Sequence, residues 1–301
     1  MENLQLLIAT ITGIILLLLL VTRFKINAFI SLLIASIFVG LAAGMPATEV
    51  IASIQEGMGG TLGFVATVVG LGAIFGQILE HSGGAEAVAN SLLKSFGKEK
   101  ASWAMVMTGF FVAIPVFFDV AFIILVPLIY ALGRDTGKSL LYYGIPLLTG
   151  LAVTHAFIPP TPGPIAVADI LDADLGWVIL FGFIVGIPSA AVAGPLFGNY
   201  IGKRINVAVP DYISMEESDS LPESELPPFR LIVGIISIPL LLILGNTITN
   251  ALVDQGTIEA SAWTHTIQFL GHPFTALILA VLAAMYWLGV KRNATREQLS
   301  K

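Results

Sequence analysis

The sequence predicts an all-α polytopic membrane protein of about seven spans, with one re-entrant helical hairpin and one proline-broken helix among them. Three observations predict this: the composition, the placement of lysine and arginine, and a run of prolines inside an apolar segment. Of 301 residues 56% are hydrophobic and 11% charged, and the mean hydropathy is +0.91. A soluble domain needs a polar face on most of its elements, whereas residues 4–21 carry no charge and are long enough to cross a hydrocarbon core as helix. The basic pair Arg23 and Lys25 follows that first stretch and the leading charge is Glu2, so it reads as a retained span, not a signal peptide. There is no cysteine, hence no disulfide framework or thiolate metal site, and no basic cluster with interleaved aromatics that would suit nucleic acid. Nothing in the pattern calls for a cofactor. The net charge of −6 comes largely from one acidic segment at 211–225.

Apolar segments place spans at about 4–22, 26–44, 61–80, 139–158, 177–201, 229–250 and 272–290. The long connection 205–228, rich in Pro, Ser, Glu and Asp, is expected to be an acidic cytoplasmic linker. It separates a first membrane part, 1–204, from a second, 229–301. Arg23/Lys25, Lys94/Lys98/Lys100, Arg134/Lys138, Lys203/Arg204 and Lys291/Arg292/Arg296 are expected in the cytoplasm, and the Lys/Arg-free, acid-bearing connections 45–60, 169–176 and 251–271 outside. The loops at 94–100 and 134–138 then share a side although apolar residues 102–132 separate them, which an odd number of crossings cannot satisfy. A re-entrant hairpin over 102–132, turning around Pro115–Asp119, resolves this; one long kinked helix with 134–138 outside is the alternative.

Asp119 is the only formally charged residue between Trp103 and Leu132. An acid at a helix centre costs roughly 2.5–3.5 kcal/mol, so such residues mark ion or substrate pathways. At a hairpin turn Asp119 either lines a cavity or caps the second helix, and both roles can hold together. The stretch THAFIPPTPGPIAVAD (154–169) carries prolines 159, 160, 162 and 164, which no continuous helix survives. An apolar pattern resumes after it, as in the discontinuous helices that build transporter sites near the midplane. Thr154, His155 and Thr161 flank the break: hydroxyls and imidazole together suit a polyhydroxylated substrate and a titrating group suits proton coupling, although a lone histidine on an apolar helix also serves as an ordinary core residue. Asp169 is either a pathway acid or an interfacial one. The Gly59/Gly63 and Gly72/Gly76 spacings point to close helix packing, or to a smooth face for a moving element, and Glu80 and His81 read as interfacial. GRDTGKS (133–139) is not a phosphate loop, because the spacing demands glycine where Leu132 stands.

The glycine-rich stretch followed by EHSGGAE, the run IPVFFDVAFIILVPL and above all THAFIPPTPGP resemble the gluconate permease (gluconate:proton symporter) family of bacterial inner membranes. The resemblance extends over nearly the whole chain. It implies two inverted repeats, each with a hairpin and a broken helix, of which 1–204 would be the first and 229–301 the start of a second. It implies uptake of gluconate or a related sugar acid with protons by a multi-pass inner-membrane transporter, not an enzyme. The substrate would lie among Phe117, Phe118, Asp119, Thr154, His155, Pro160, Thr161 and Gly163, with Asp119, His155 and Asp169 as proton-coupling candidates. Family members are about half as long again, so the expectation is a chain that cannot transport alone; proton-coupled gluconate uptake by it in proteoliposomes would refute that. Exposed scaffold spans would make a homodimer reasonable. The alternatives are a permease for another small carboxylate such as D-serine, a structural membrane protein, or, more distantly, an intramembrane hydrolase using His155, for which no GxSxG or twin-aspartate pattern exists.

Overall fold

The computed structural model describes residues 2–210 and 225–292, apart from the side chains of Glu2, Asn3 and Thr61. The described residues are helices and connections without a strand. In order they are α1 (Glu2–Leu18), α2 (Ala28–Ala42), α3 (Ala47–His81), α4 (Gly84–Phe96), α5 (Ala101–Val112), α6 (Phe118–Thr136), α7 (Leu141–Phe157), α8 (Pro162–Ile170), α9 (Leu175–Ala191), α10 (Phe197–Arg204), α11 (Phe229–Asp254), α12 (Ala262–Gly271) and α13 (Pro273–Ala284). Among the described residues six segments are long and apolar enough to cross a membrane: Leu4–Arg23, Ala47–His81, Leu141–Ile170, Leu175–Arg204, Phe229–Asp254 and Pro273–Arg292. Most of the acidic linker, 211–224, lies outside the described residues.

Three expectations are corrected. The second expected span is a 15-residue helix, about 22 Å of rise, shorter than a full crossing. The connection expected over 45–60 is helical from Ala47 onward, and the Pro46 carbonyl accepts from the Glu49 and Val50 N–H groups at its start. The connection 251–271 holds α12, started by a reciprocal cap in which Thr264 N–H donates to Ser261 and Ser261 N–H donates to the Thr264 hydroxyl.

The chain forms two compact units, Met1–Phe64 and Val65–Lys301. In the first, α1 and α2 pack where Gly13 meets Val39, and Gly40 meets Val50 of α3. Gln5 donates to the Ala42 carbonyl at 3.1 Å and closes the far end of that pair.

The second unit is organised around α7. Gly109 of α5 and Gly150 of α7 let the two backbones touch: a Cβ at Gly150 would strike the Val106 carbonyl. The register 106 to 150 and 110 to 154 makes α5 and α7 parallel, with Thr154 donating to the Phe110 carbonyl at 3.0 Å. Helix α6 runs antiparallel to α7, joined by a short turn in which Thr136 and the fully buried Tyr143 share a hydrogen bond of 2.8 Å. The start of α5 and the end of α6 therefore meet, and Lys98 pairs with Asp135 at 2.5 Å. That ion pair is exposed and worth little energetically, but it fixes both loops at one end of the unit. Residues 205–207 join the same end: Ser139 donates to the Ile205 carbonyl and Leu140 N–H donates to Val207, each at 2.8 Å. At the opposite end, Asp174 caps α9 by accepting from Gly176 and Trp177 N–H groups and takes a 2.5 Å hydrogen bond from Thr247 of α11. Core packing centres on Val106, Phe110, Ile158 and Ala190, with Phe183 against Phe110.

Candidate functional site

The turn between α5 and α6, residues 113–117, is buried from Ala113 to Val116. Pro115 cannot donate to a continuing helix, so the chain stops at Val112 and restarts at Phe118, with Phe117 extended at the N-cap. Asp119 is thus the second residue of α6. No side chain caps this helix, and Asp119 makes no hydrogen bond or ion pair among the described residues. Its carboxylate is exposed and sits where four helix amides lack intrahelical partners, which favours negative charge there.

The break between α7 and α8 lies at residues 158–161. Ile158, Pro159, Pro160 and Thr161 are all buried, the Pro159–Pro160 peptide is cis, and the Thr161 hydroxyl donates at 2.8 Å to the Ile158 carbonyl. That bond satisfies a carbonyl that the prolines cannot reach with an N–H. Helix α8 then opens with Pro162 at its first position.

These two interruptions meet on one face of α3. Gly72 lies beside Pro160, where a Cβ would sit 3.7 Å from its carbonyl oxygen, and a Cβ at Gly76 would overlap the Pro115 carbonyl. A Cβ at Gly59, by contrast, would meet nothing within 4 Å. The Phe117 ring stands edge-on to His155, with centroids 6.3 Å apart. His155 is half-buried and its Nδ1 is buried without a hydrogen-bond partner. A crevice of about 10 Å³ lined by Val69, Gly72, Pro115, Phe117, Pro160 and Thr161 marks the junction; it has room for about one water.

A larger cavity of about 310 Å³ opens beside the hairpin tip, between Gly76, Gln77, Glu80 and His81 of α3 and Val116, Phe117 and Val120. That is the lower end of the range for small-ligand sites. Gln77, Glu80 and His81 were not expected in the site. The signal was available: they stand one, four and five residues beyond Gly76, so Gln77, Glu80 and His81 share a helical face at i, i+3 and i+4.

Among the expected residues, the structure thus brings together Phe117, His155, Pro160 and Thr161, with Thr154 anchoring the break to α5. Phe118 is half-buried and lines neither cavity; Gly163 is exposed, with open space where a Cβ would be. Asp169 lies half-buried near the far end of α8 and lines neither cavity. Among the described residues no group of three His, Asp or Glu side chains could hold a metal ion.

Sequence comparison bears on these elements. The profile of the GntP family permeases matches residues 4–301. A gluconate permease of Pseudomonas aeruginosa is 40% identical over 287 residues, covering 95% of this chain and 62% of the relative. A low-affinity gluconate transporter of Escherichia coli K12 is 38% identical over 299 residues, 99% of this chain and 66% of the relative. The Gnt-II system L-idonate transporter of the same strain is 38% identical over 297 residues, 97% of this chain and 65% of the relative. The chain thus spans a little under two thirds of the length of these relatives. No solved structure matches it at a significant level. With a profile match across almost every residue, including the hairpin tip and the broken helix, the chain belongs to the GntP permease family.

Proposed function

We propose that this chain supplies one re-entrant hairpin, α5–α6, and one broken helix, α7–α8, of a secondary transporter that imports gluconate or a related sugar acid with protons across the bacterial inner membrane. The observation that carries the reading is the convergence of two helix interruptions on Gly72 and Gly76 of α3. Helix ends at such a point offer unpaired amides and carbonyls to a substrate, and the glycine face lets the two elements shift against α3 without collision. The family and the names of the relatives support a sugar acid as the substrate class. The substrate carboxylate is held by the N-termini of α6 and α8, while Asp119 and His155 take up protons. Transport of this kind makes and breaks no covalent bond, so the protein acts as a permease and not as an enzyme.

The L-idonate transporter among the relatives favours a second substrate of the same chemistry, a hexonate differing only in hydroxyl configuration. The test is uptake of labelled gluconate by bacterial cells stripped of their own gluconate uptake and expressing the natural gene that encodes this chain. Uptake abolished by a protonophore and competed by L-idonate but not by D-serine is the expected result. Absence of sugar-acid uptake, or competition by D-serine alone, would overturn the substrate assignment. Asp119→Asn is expected to abolish proton-driven uptake; a normal rate and pH profile would remove Asp119 from the coupling role.

A further inference from the structure

The cavity beside the hairpin tip has two unlike walls. One is apolar and comes from the turn and the helix it opens: Val116, Phe117 and Val120. The other is the C-terminal end of α3, where Gln77, Glu80 and His81 share a face just beyond Gly76. Gly76 lets the walls come this close, because its missing Cβ leaves room for the Pro115 carbonyl. Among the described residues the side chains of Gln77 and Glu80 make no hydrogen bond or ion pair, so both are available to a ligand. His81 is oriented by its own helix. Its Nδ1 lies 2.9 Å from the Gln77 backbone carbonyl, which has no proton to give, so Nδ1 carries the hydrogen and donates it. In the neutral ring Nε2 is then the nitrogen with a lone pair, able to accept from a hydroxyl.

We propose that this cavity is a polyol subsite, in which Gln77, Glu80 and Nε2 of His81 bind the hydroxyl chain of a hexonate and select polyhydroxylated acids over bare carboxylates. The proposal rests on the transport reading above and names the residues that read the hydroxyls. The inventory of donors and acceptors dictates which end of the ligand faces α3. An ionised Glu80 only accepts, so it binds hydroxyl O–H groups and repels a carboxylate. Gln77 offers two donors and an acceptor, and Nε2 a further acceptor. Hydroxyls, each donor and acceptor at once, are matched along that face, whereas an analogue lacking them leaves the polar groups unpaired. The ligand's carboxylate turns away from Glu80 to the opposite wall, where the first turn of α6 presents free amides. Its carbon chain packs on Val116, Phe117 and Val120.

The volume of about 310 Å³ suits a small ligand, and the exposed Gln77 and His81 leave the cavity open to water on the α3 side. Val116 and Phe117 line both this cavity and the crevice at the junction, where the Phe117 ring stands edge-on to His155. A ligand held by α3 therefore touches the same aromatic ring that borders the broken helix. Glu86, in the first turn of α4, is not part of the subsite: it lines neither cavity and is half-buried, with its Oε2 buried and unpartnered beside Ala85, Ala87 and Val88.

Two measurements test this. The first is the kinetics of labelled gluconate uptake by cells expressing the natural gene. Glu80→Gln is expected to raise KM about 10-fold or more, the loss of a hydrogen bond to a charged group, with kcat little changed; Gln77→Ala should raise KM less. An unaltered KM in Glu80→Gln, or a fall in kcat alone, would overturn the subsite. The second uses this chain in lipid nanodiscs, where the absence of native cysteine lets Ala73→Cys report on the cavity it lines. Gluconate is expected to slow thiol modification at position 73, and adding Glu80→Gln should cancel the protection. Ile123→Cys, on the exposed face of α6, should be modified at the same rate with or without gluconate. No protection at position 73, or equal protection at 123, would overturn the proposal. A wild type that takes up no sugar acid would overturn the transport reading instead, and the thiol measurement would still decide whether the cavity binds gluconate.

Discussion

Thr247 shows how much a single hydroxyl holds together at the acid-bearing end of the second unit. It donates at 2.5 Å to Asp174, whose same oxygen caps α9 through Gly176 and Trp177, so one carboxylate joins α9 to α11. Hydrogen bonds to charged groups contribute about 1.5–3 kcal/mol net, and Thr247→Val is expected to lower stability by about that amount. The shift in unfolding midpoint in detergent measures it, and Thr247→Ser, which keeps the donor, should recover most of the loss. Glu86 makes the opposite kind of demand. Because burial raises its folded pKa above the unfolded value, the native state binds the proton more tightly. Its stabilising contribution is full below the unfolded glutamate pKa and is lost as pH rises through the raised folded value. Thermal unfolding across that window should therefore show a decline in the wild type that Glu86→Gln removes; an identical pH dependence in both would place the burden elsewhere.

The parallel pair α5–α7 is the element on which the candidate site is mounted. Its closeness depends on Gly109 and Gly150 facing the partner backbone, and Thr154 and Phe110 lock the register next to the break. Gly150→Leu must displace the Val106 carbonyl, a backbone atom with no rotamer to yield, and should cost about 3 kcal/mol, the upper end of overpacking penalties, or more. Loss of the monodisperse peak in size exclusion would register it, whereas Gly163→Ala, in open space, should leave that peak intact. Both interruptions were legible in sequence because proline acts locally: it removes a donor and blocks the preceding turn whatever surrounds it. The helical character of 47–60 and of α12 was not, since charge-poor outer connections and amphipathic helices share composition, and Ser261–Thr264 is a cap only once its geometry exists. Glu80 and His81 were placed at the interface for a related reason. Their position at the end of a hydrophobic run was visible, but the turn that folds the hairpin tip over them is a tertiary event.

At the scale of the second unit, charge separates along the helix direction. Lys98, Asp135, Ser139 and the residues after Arg204 gather at one end, and Asp174, Thr247, Asn250 and Gln268 at the other, where Gln268 donates to Asn250 at 2.8 Å. Lysine and arginine counts had grouped the same loops, because the rule that retains basic loops in the cytoplasm acts on the finished topology and leaves its trace in composition. The count cannot, however, distinguish a hairpin that returns from a helix that crosses and a later error in the rule. The Lys98–Asp135 pair constrains only which loops lie together, so the position of the bilayer requires a direct measurement. With no native cysteine, single substitutions at Gly97, Thr136 and Asp172 can be probed from each side by an impermeant thiol reagent. Positions 97 and 136 are expected to label from the cytoplasm and 172 from outside, which makes α5–α6 re-entrant and leaves Asp119 at the hairpin tip within the membrane. Labelling of 97 and 136 from opposite sides would be incompatible with their ion-paired neighbours, and would turn 102–132 into a crossing in which Asp119 needs a partner on another helix.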